Sequence, residues 1–333
     1  MRVLMVGPTP PWAPNPYVID LACELGVIPD VELTIAPVSN PYPAWFGPRS
    51  PVDAPWPPPG PFEVTDGVRW FAPWHWIGLG RGAWDLVHLQ WWNYALLPEF
   101  FTIASAARSR GTPVVLTMHN ADPHEASRLR RWANRQGAGF ATHLVVQTPD
   151  TERLLLARGL PAERLTVIPH GYTPRPAVTS DERAAARVAL GIADDTTVSL
   201  HFGAIRPYKR THEVLERFAA NGAGHLIVAG RPWGAYGEQV AALAARLNAR
   251  PDLRGRLTLD LRTVDEPTTR RYFAASDVAV IAQAGMDAAS GAAAEALAHG
   301  LAVESWADSE TPYLPWFEAA AATAALYRRL TTR

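Results

Sequence analysis

The 333-residue sequence predicts an α/β protein with two domains, each built around a parallel β-sheet. Three observations lead to this prediction. The chain is longer than one hydrophobic core normally supports. Short apolar runs of strand length alternate with helical segments in two separate series, which is typical of parallel sheets with covered faces. A hydrophobic fraction of 48% with 19% charged residues favours full cores over disorder.

The first series opens with a buried strand that closes on glycine and proline, followed by a helix and a second strand. The stretch Pro37–Pro61 is dense in proline and is predicted as a long loop. The predicted strands of this series are Arg2–Gly7, Val31–Ala36, Asp85–Gln90, Thr112–His119, Leu144–Gln147 and Leu165–Ile168, and its predicted helices are Asn15–Leu25 and Leu96–Ala107.

A turn-rich stretch after His170 places the domain junction near residues 171–180. A second series follows, with predicted strands Val198–Phe202, Leu226–Ala229, Leu257–Leu259 and Val278–Ile281. The predicted domains are residues 1–172 and 173–312, and an alanine-rich terminal helix within 313–333 packs back toward the first domain. Ligands are expected in a cleft that faces the carboxyl ends of both sets of strands.

Composition excludes several classes of function. The net charge of −1 provides no long-range attraction for nucleic acid, so anion binding must be local. The single cysteine, Cys23, excludes an internal disulfide and a multi-cysteine metal cluster. Because the sequence has neither a secretory signal nor eighteen uninterrupted apolar residues, we expect a cytoplasmic protein.

The first candidate site follows strand Val198–Phe202, in the segment GAIRPYK. Gly203 permits a tight turn at the end of the strand. Arg206 and Lys209, which is the only lysine of the chain, place two cations there. The planar guanidinium of arginine can bind two phosphate oxygens, and the ammonium group of lysine acts as a point charge. Together they suit a diphosphate. The alternative is two solvated cations at the start of a helix, where positive charge opposes the helix dipole.

The second candidate site follows strand Val278–Ile281, in the segment DAASGAAAEALAHG. Ser290 can cap the next helix, and Gly291 lets a phosphate approach its free backbone amides. Glu295 lies one turn further on and could accept hydrogen bonds from both ribose hydroxyls of a nucleotide. Taken alone, Glu295 is equally compatible with an ordinary surface glutamate.

These two segments, in this order and spacing, resemble the carboxyl-terminal domain of glycosyltransferase family 4, a family with the two-domain GT-B fold. The resemblance implies that Gly203, Arg206, Lys209, Ser290 and Gly291 bind the diphosphate of a nucleoside-diphosphate sugar, the donor substrate, with no metal or other cofactor. It also implies that Glu295 binds the ribose. The first acid of the family's paired-glutamate signature falls at Asp287, which is implied to be catalytic. Ala204 stands where the family usually has the arginine.

The amino-terminal half extends the resemblance through WDLVHLQWWN, TMHNADPHE and VIPHGY. By this resemblance His119 is catalytic and contacts the donor sugar. The alternative is a core histidine whose ring nitrogens are hydrogen-bonded to backbone groups. Trp91 and Trp92 are the acceptor-side candidates. Asp122, His124 and Glu125 could deprotonate a hydroxyl acceptor if the enzyme inverts configuration. Retention, which the resemblance favours, lets the departing diphosphate take that proton.

The predicted function is therefore sugar transfer to a hydroxyl acceptor, which could be a glycan, a lipid-linked sugar or a small natural product. A nicotinamide-dependent oxidoreductase is disfavoured because the first strand leads into GPTPPW, without a Gly-x-Gly-x-x-Gly turn. A non-catalytic sugar-nucleotide-binding subunit stays open as the alternative. Ser127–Arg135 carries four arginines beside Leu129 and Trp132, which allows either a solvated helix or contact with an anionic membrane.

Overall fold

A computed structural model describes residues 1–9, 16–38, 60–69, 71–92, 94–121, 128–221, 223–283, 289–306 and 311–332, with only the backbone of Arg130. Contacts between residues divide the chain into two compact units. Unit 1 comprises Met1–Gly171, Asp287–Ala289 and Thr311–Arg333, and unit 2 comprises Tyr172–Met286 and Ser290–Glu310. No helix within these described residues is both long and apolar enough to cross a membrane.

Unit 1 is organised around a seven-stranded parallel sheet with the strand order β3-β2-β1-β4-β5-β6-β7. Its elements along the chain are β1 (Arg2–Pro8), α1 (Tyr17–Gly26), β2 (Glu32–Val38), β3 (Glu63–Val64), α2 (Pro73–Gly80), β4 (Leu86–Trp91), α3 (Leu97–Arg108), β5 (Val114–Met118), α4 (Arg128–Phe140), β6 (His143–Val146), α5 (Pro149–Ala157), β7 (Leu165–Val167) and β8 (His170–Tyr172).

Unit 2 holds a five-stranded parallel sheet with the order β11-β10-β9-β12-β13. Its elements are α6 (Ser180–Leu190), β9 (Val198–Phe202), α7 (Thr211–Asn221), β10 (His225–Ala229), α8 (Gly234–Asn248), β11 (Leu257–Asp260), α9 (Glu266–Ala275), β12 (Val278–Ile281), α10 (Gly291–Ala298) and β13 (Ala302–Ser305).

The chain then returns to unit 1 through β14 (Tyr313–Pro315), which pairs with β8, and α11 (Trp316–Thr331). Helix α11 packs against α1 and buries Trp316 and Tyr327 in the core on that face of the sheet. At its far end the Arg328 guanidinium bonds both carboxylate oxygens of Asp30, at 2.8 and 2.6 Å. The last helix is therefore an integral layer of unit 1.

Hydrophobic cores cover both faces of the unit 1 sheet. Helices α2, α3, α4 and α5 pack on one face, and α1 and α11 pack on the other. Every residue of β4 is buried, which is expected for a strand in the middle of a doubly covered parallel sheet. Two cores likewise enclose the sheet of unit 2.

The predicted strands all occur, with ends displaced by at most two residues. The predicted loop, in contrast, begins too early, because β2 continues through Pro37 to Val38. Proline is compatible with this extended backbone, and the Pro37 carbonyl still accepts a hydrogen bond from the Val68 N–H at 2.8 Å. Residues 39–59 of that loop lie outside the described residues.

Candidate functional site

The turn after β9 requires glycine at two positions. Gly203 has φ +109°, a conformation that favours glycine, and its N–H donates to the Ala229 carbonyl at 3.0 Å. Gly230, at the end of the neighbouring β10, lies so close that a Cβ atom there would stand 1.8 Å from the Gly203 carbonyl oxygen. The backbones just beyond the two parallel strands therefore approach each other closely, and this fixes the path of the segment that carries Arg206 and Lys209.

Beyond the turn, backbone hydrogen bonds hold the cation segment against the chain that follows β10. The Ile205 N–H donates to Arg231 O at 2.8 Å, and the Trp233 N–H donates to Ile205 O at 3.1 Å. This pairing places the Arg206 guanidinium 4.1 Å from the centre of the Trp233 ring, within cation–π range. Arg206 Nε is buried and has no hydrogen-bond partner in the described part of the chain.

Lys209 ends a single 3₁₀ turn and is only 8% exposed. Burial, together with the positive charge of Arg206, lowers its pKa from 10.5 to about 8. Among the described residues, no carboxylate lies within 4.0 Å of its ammonium group. Buried cations are normally paired, so this pair of cations is a strong indication of an anionic ligand.

The amino terminus of α10 meets the same turn. Ser290 caps the helix, accepting a hydrogen bond from the Ala293 N–H at 3.4 Å, and Gly291 is exposed. A Cβ atom at Gly203 would lie 3.6 Å from the Cβ of Ala292. The glycine turn and the helix start are thus neighbours within unit 2, which is the arrangement a diphosphate needs. Asp287, expected to be catalytic, lies outside the described residues.

Glu295 projects from α10 and is held by two basic side chains. His299 Nε2 lies 3.2 Å and an Arg175 guanidinium nitrogen 3.4 Å from the same oxygen, Oε1. These contacts, with the His299 hydrogen bond the larger, lower the pKa of Glu295, so the carboxylate is charged at neutral pH. The His299 ring stacks on Phe273 at 4.4 Å. Sequence analysis missed Arg175 and His299, although His299 follows Glu295 at the i+4 spacing of helix neighbours.

In unit 1, His119 follows β5 and is 7% exposed. Its Nε2 lies 3.0 Å from Gln90 Oε1, and its Nδ1 lies 3.3 Å from Gln147 Nε2. Its ring stacks on Trp92 at 4.5 Å and meets the edge of Tyr17 at 4.6 Å. Burial is the main cause of a pKa well below 6.5, so the ring is neutral. Both ring nitrogens are hydrogen-bonded to side chains, and not to the backbone groups expected for a structural core histidine.

The two tryptophans at the end of β4 have different surroundings. Trp91 is buried in the core, where its indole N–H donates to Asn134 Oδ1 at 2.9 Å and its ring packs on Gly137 of α4. Trp92 is partly exposed, and its buried Nε1 has no hydrogen-bond partner among the residues described. An acceptor role is therefore kept for Trp92. Asp122, His124 and Glu125 lie outside the described residues.

Two further polar groups of unit 1 were missed by sequence analysis. Glu99 is buried in the first turn of α3, and its Oε2 has no partner in the described part of the chain; burial raises its pKa to about 7. The buried Thr9 hydroxyl, just beyond β1, likewise has no partner among described residues. Neither position belongs to a motif, and only the tertiary structure shows that they are buried.

The comparisons with known proteins agree with this geometry. Residues 22–171 match the family model of the glycosyl transferase 4-like domain. Over the whole chain, the structure is similar to that of HepE from Anabaena in complex with UDP, with a TM-score of 0.67, 16% identity, and coverage of 99% of this chain and 92% of that chain. The chain has the GT-B fold of glycosyltransferases.

Another similar GT-B structure is that of a sucrose-phosphate synthase from Thermosynechococcus elongatus, with a TM-score of 0.58 and 17% identity.

 The alignment with this synthase covers 99% of this GT-B chain and 89% of the synthase chain. At this level of identity the likeness establishes the fold alone.

Among curated relatives, the GT-B chain is 30% identical over 214 residues to a D-inositol 3-phosphate glycosyltransferase of Mycobacterium sp., covering 60% of this chain and 46% of the relative. It is 33% identical over 115 residues to a UDP-N-acetylglucosamine–N-acetylmuramyl-(pentapeptide) pyrophosphoryl-undecaprenol N-acetylglucosamine transferase of Mycolicibacterium vanbaalenii, covering 33% of this chain and 24% of the relative. The chain therefore spans less than half the length of these relatives, all of which are glycosyltransferases.

Proposed function

We propose that this protein is a glycosyltransferase that moves a sugar from a nucleoside-diphosphate donor to a hydroxyl acceptor. The observation that carries the proposal is the pair Arg206 and Lys209. Two cations lie beside a glycine turn and a capped helix start, and no carboxylate among the described residues neutralises Lys209. A diphosphate would supply the missing negative charge.

The donor would be bound by three parts of unit 2. Arg206 and Lys209 would bind phosphate oxygens, and the free amides at Gly291 would bind another. Both basic partners of Glu295 contact Oε1, so Oε2, for which the described part of the chain provides no partner, could accept hydrogen bonds from the ribose hydroxyls. UDP is the first nucleotide to test, because similar GT-B structures were solved with UDP and with UDP-glucose.

In the proposed reaction, the bond between the anomeric carbon and the diphosphate oxygen breaks, and a bond from that carbon to the acceptor oxygen forms. The acceptor proton passes to an oxygen of the departing diphosphate if configuration is retained. Retention suits the neutral His119, whose nitrogens are both occupied and which is therefore not a base. Within this proposal His119 contacts the donor sugar, and Asp287 is the second catalytic candidate. The cations Arg206 and Lys209 balance the leaving group's charge without a metal.

The test is release of nucleotide from a labelled donor, with and without a panel of hydroxyl acceptors. We expect the wild-type protein to release UDP from UDP-glucose or another UDP-sugar, and the Lys209→Ala variant to release at least tenfold less. Tight UDP binding without turnover for any donor and acceptor would favour the alternative, a non-catalytic sugar-nucleotide-binding subunit. Absence of nucleoside-diphosphate binding would refute the proposal.

We also propose that unit 1 contacts an anionic membrane surface, which would suit a lipid-linked acceptor. Helices α2, α3 and α4 form one layer on the sheet, and this layer exposes apolar side chains. On α4, Leu129 and Trp132 are 59% and 45% exposed beside the exposed Arg128 and Arg131. Exposed aromatic and aliphatic groups among arginines are typical of helices that bind anionic lipid.

Vesicle flotation tests this second proposal. We expect the protein to float with vesicles that contain anionic phosphatidylglycerol, and to float less with phosphatidylcholine alone. The double variant Leu129→Ser/Trp132→Ser should lose flotation and keep UDP binding. A matched variant on another helix, Leu156→Ser, removes a 38% exposed side chain of α5 and should float like wild type. Equal flotation of all three proteins would refute the contact.

A further inference from the structure

A continuous line of buried hydrogen bonds crosses the interior of unit 1 and includes His119. Its members come from four different elements: Gln147 follows β6, His119 follows β5, Gln90 and His88 lie in β4, and Tyr327 lies in α11. All five side chains are buried. The line therefore connects the last helix of the chain with a residue more than two hundred positions earlier in the sequence.

The individual contacts are short. Gln147 Nε2 lies 3.3 Å from His119 Nδ1, and His119 Nε2 lies 3.0 Å from Gln90 Oε1. Gln90 Nε2 lies 3.2 Å from His88 Nε2. His88 Nδ1 lies 2.5 Å from Tyr327 Oη. Each of the three inner side chains thus bridges the two beside it, and the amides alternate with the imidazoles.

The donors and acceptors give this line a single direction. The Gln147 amide donates to His119 Nδ1, so the proton of His119 lies on Nε2 and is donated to Gln90 Oε1. The Gln90 amide then donates to His88 Nε2, which also lies 2.7 Å from the Thr117 hydroxyl. The proton of His88 must therefore lie on Nδ1, where it is donated to Tyr327. Each amide sets the tautomer of the ring that follows it.

Burial keeps both rings neutral. It lowers the pKa of His88 to about 3 and is also the main cause of the low pKa of His119. A protonated imidazole donates from both of its nitrogens and therefore needs an acceptor at each. Instead, an amide donor already faces one nitrogen of each ring: the Gln147 amide faces His119 Nδ1, and the Gln90 amide faces His88 Nε2. A fully bonded buried network of this kind is stiff, because turning one side chain breaks the contacts of its neighbours.

We infer that Gln147, Gln90, His88 and Tyr327 are positioning residues that fix the ring orientation and the Nε2–H tautomer of His119. This inference rests on the proposed function in one respect, since it assumes that His119 contacts the donor sugar. The stacking of His119 on Trp92 at 4.5 Å means that the same line also fixes one side of the acceptor candidate. Helix α11 thereby contributes to the site through Tyr327, although no motif marks it.

The first test is the protonation state itself, which does not depend on activity. Long-range ¹H–¹⁵N spectra of the ¹⁵N-histidine protein, assigned by single replacements of His119 and His88, report which ring nitrogen carries the proton. We expect Nε2–H for His119 and Nδ1–H for His88, unchanged from pH 6 to 8. The opposite tautomer at either ring, or a protonated His119 near pH 6, would overturn the inference.

The second test breaks the line at its far end. Tyr327→Phe removes one hydroxyl with little change of volume, and should shift the His88 and His119 resonances and lower kcat about five- to tenfold, with donor KM within twofold of wild type. Thr323→Val on the same helix is the matched control, because the buried Thr323 hydroxyl bonds only the local Ala319 carbonyl at 2.7 Å among described residues. It should leave the spectrum and kcat unchanged.

The outcomes separate the two proposals. If wild-type protein shows no turnover but the expected tautomers and the Tyr327→Phe shift, the proposed function fails and the positioning network stands. If wild type turns over, and Tyr327→Phe matches Thr323→Val in both spectrum and kcat, the positioning role fails while the proposed function stands. Gln147→Met provides a check at the other end of the line, where it should move the His119 resonances most.

Discussion

Replacing Lys209 with methionine should make the free protein more stable and its nucleotide binding weaker. Methionine keeps much of the buried stem and removes the charge. The loss of folding stability caused by the buried charge follows from the pKa of Lys209, which lies at about 8 in the folded protein against 10.5 for an ordinary lysine. At 1.36 kcal/mol per pKa unit, unit 2 should gain up to roughly 3 kcal/mol at pH 7 when the charge is removed.

The expected loss of affinity comes from the same charge. A charged hydrogen bond to phosphate contributes about 1.5–3 kcal/mol, so UDP affinity should fall about 10- to 150-fold. Calorimetric titration with UDP measures this change, and denaturant unfolding without nucleotide measures the stability. Arg217→Met on α7 is the control, since Arg217 is exposed and 3.8 Å from Glu304, and it should change both quantities little.

The two effects must appear together. A variant that loses UDP affinity and also becomes less stable would show that Lys209 holds the fold and that its effect on binding is indirect. Unchanged UDP affinity in Lys209→Met would refute the diphosphate site itself. Wild-type affinity should also be constant below pH 8 and fall by up to tenfold per pH unit above it, because only the protonated amine attracts phosphate, whereas the variant should show no such decline.

Three further changes follow from the same structure. Glu99→Gln should stabilise unit 1 at pH 8 by up to roughly 3 kcal/mol and by little at pH 4. The reason is that a carboxyl group with a raised pKa lowers the free energy of unfolding as the pH rises from 4.5 to about 7. Denaturant unfolding of this variant and of the exposed control Glu163→Gln measures the difference. Glu295→Gln should weaken UDP binding about five- to tenfold and leave the affinity for inorganic pyrophosphate unchanged; an equal loss for both ligands would contradict the ribose role. Gly203→Ala should abolish UDP binding, because φ +109° strains any other residue, whereas Gly78→Ala, in open space on α2, should bind normally in the same titration.

The strands and the terminal helix could be predicted from the sequence because their apolar patterns are strong and local. In contrast, β13 was missed, because its residues are mostly exposed and show no clear apolar pattern. Helix α2 was also missed, since PWHWIGLG contains two glycines and a proline and has little polar–apolar periodicity. Tertiary packing against α3, which local sequence does not reveal, supports that helix.

For the candidate site, sequence patterns predicted features of local backbone geometry, such as the turn at Gly203 and the helix cap at Ser290. They did not identify partners distant in sequence. Arg175 bonds Glu295 from 120 positions away, and Tyr327 reaches His88 across 239 positions. Such contacts are properties of the folded chain, because no spacing rule connects a residue of α11 with the centre of β4.

The measurement that tests the central claim most directly is the pKa of Lys209 with and without UDP. Because Lys209 is the only lysine, reductive methylation with ¹³C-formaldehyde labels one side chain and the terminal amine, and the Lys209→Met variant assigns the signals. We predict that the Lys209 signal titrates near pH 8 in the free protein and at clearly higher pH with UDP bound, since the diphosphate stabilises the charged amine. Titration near 10.5 that UDP does not move would contradict the diphosphate site.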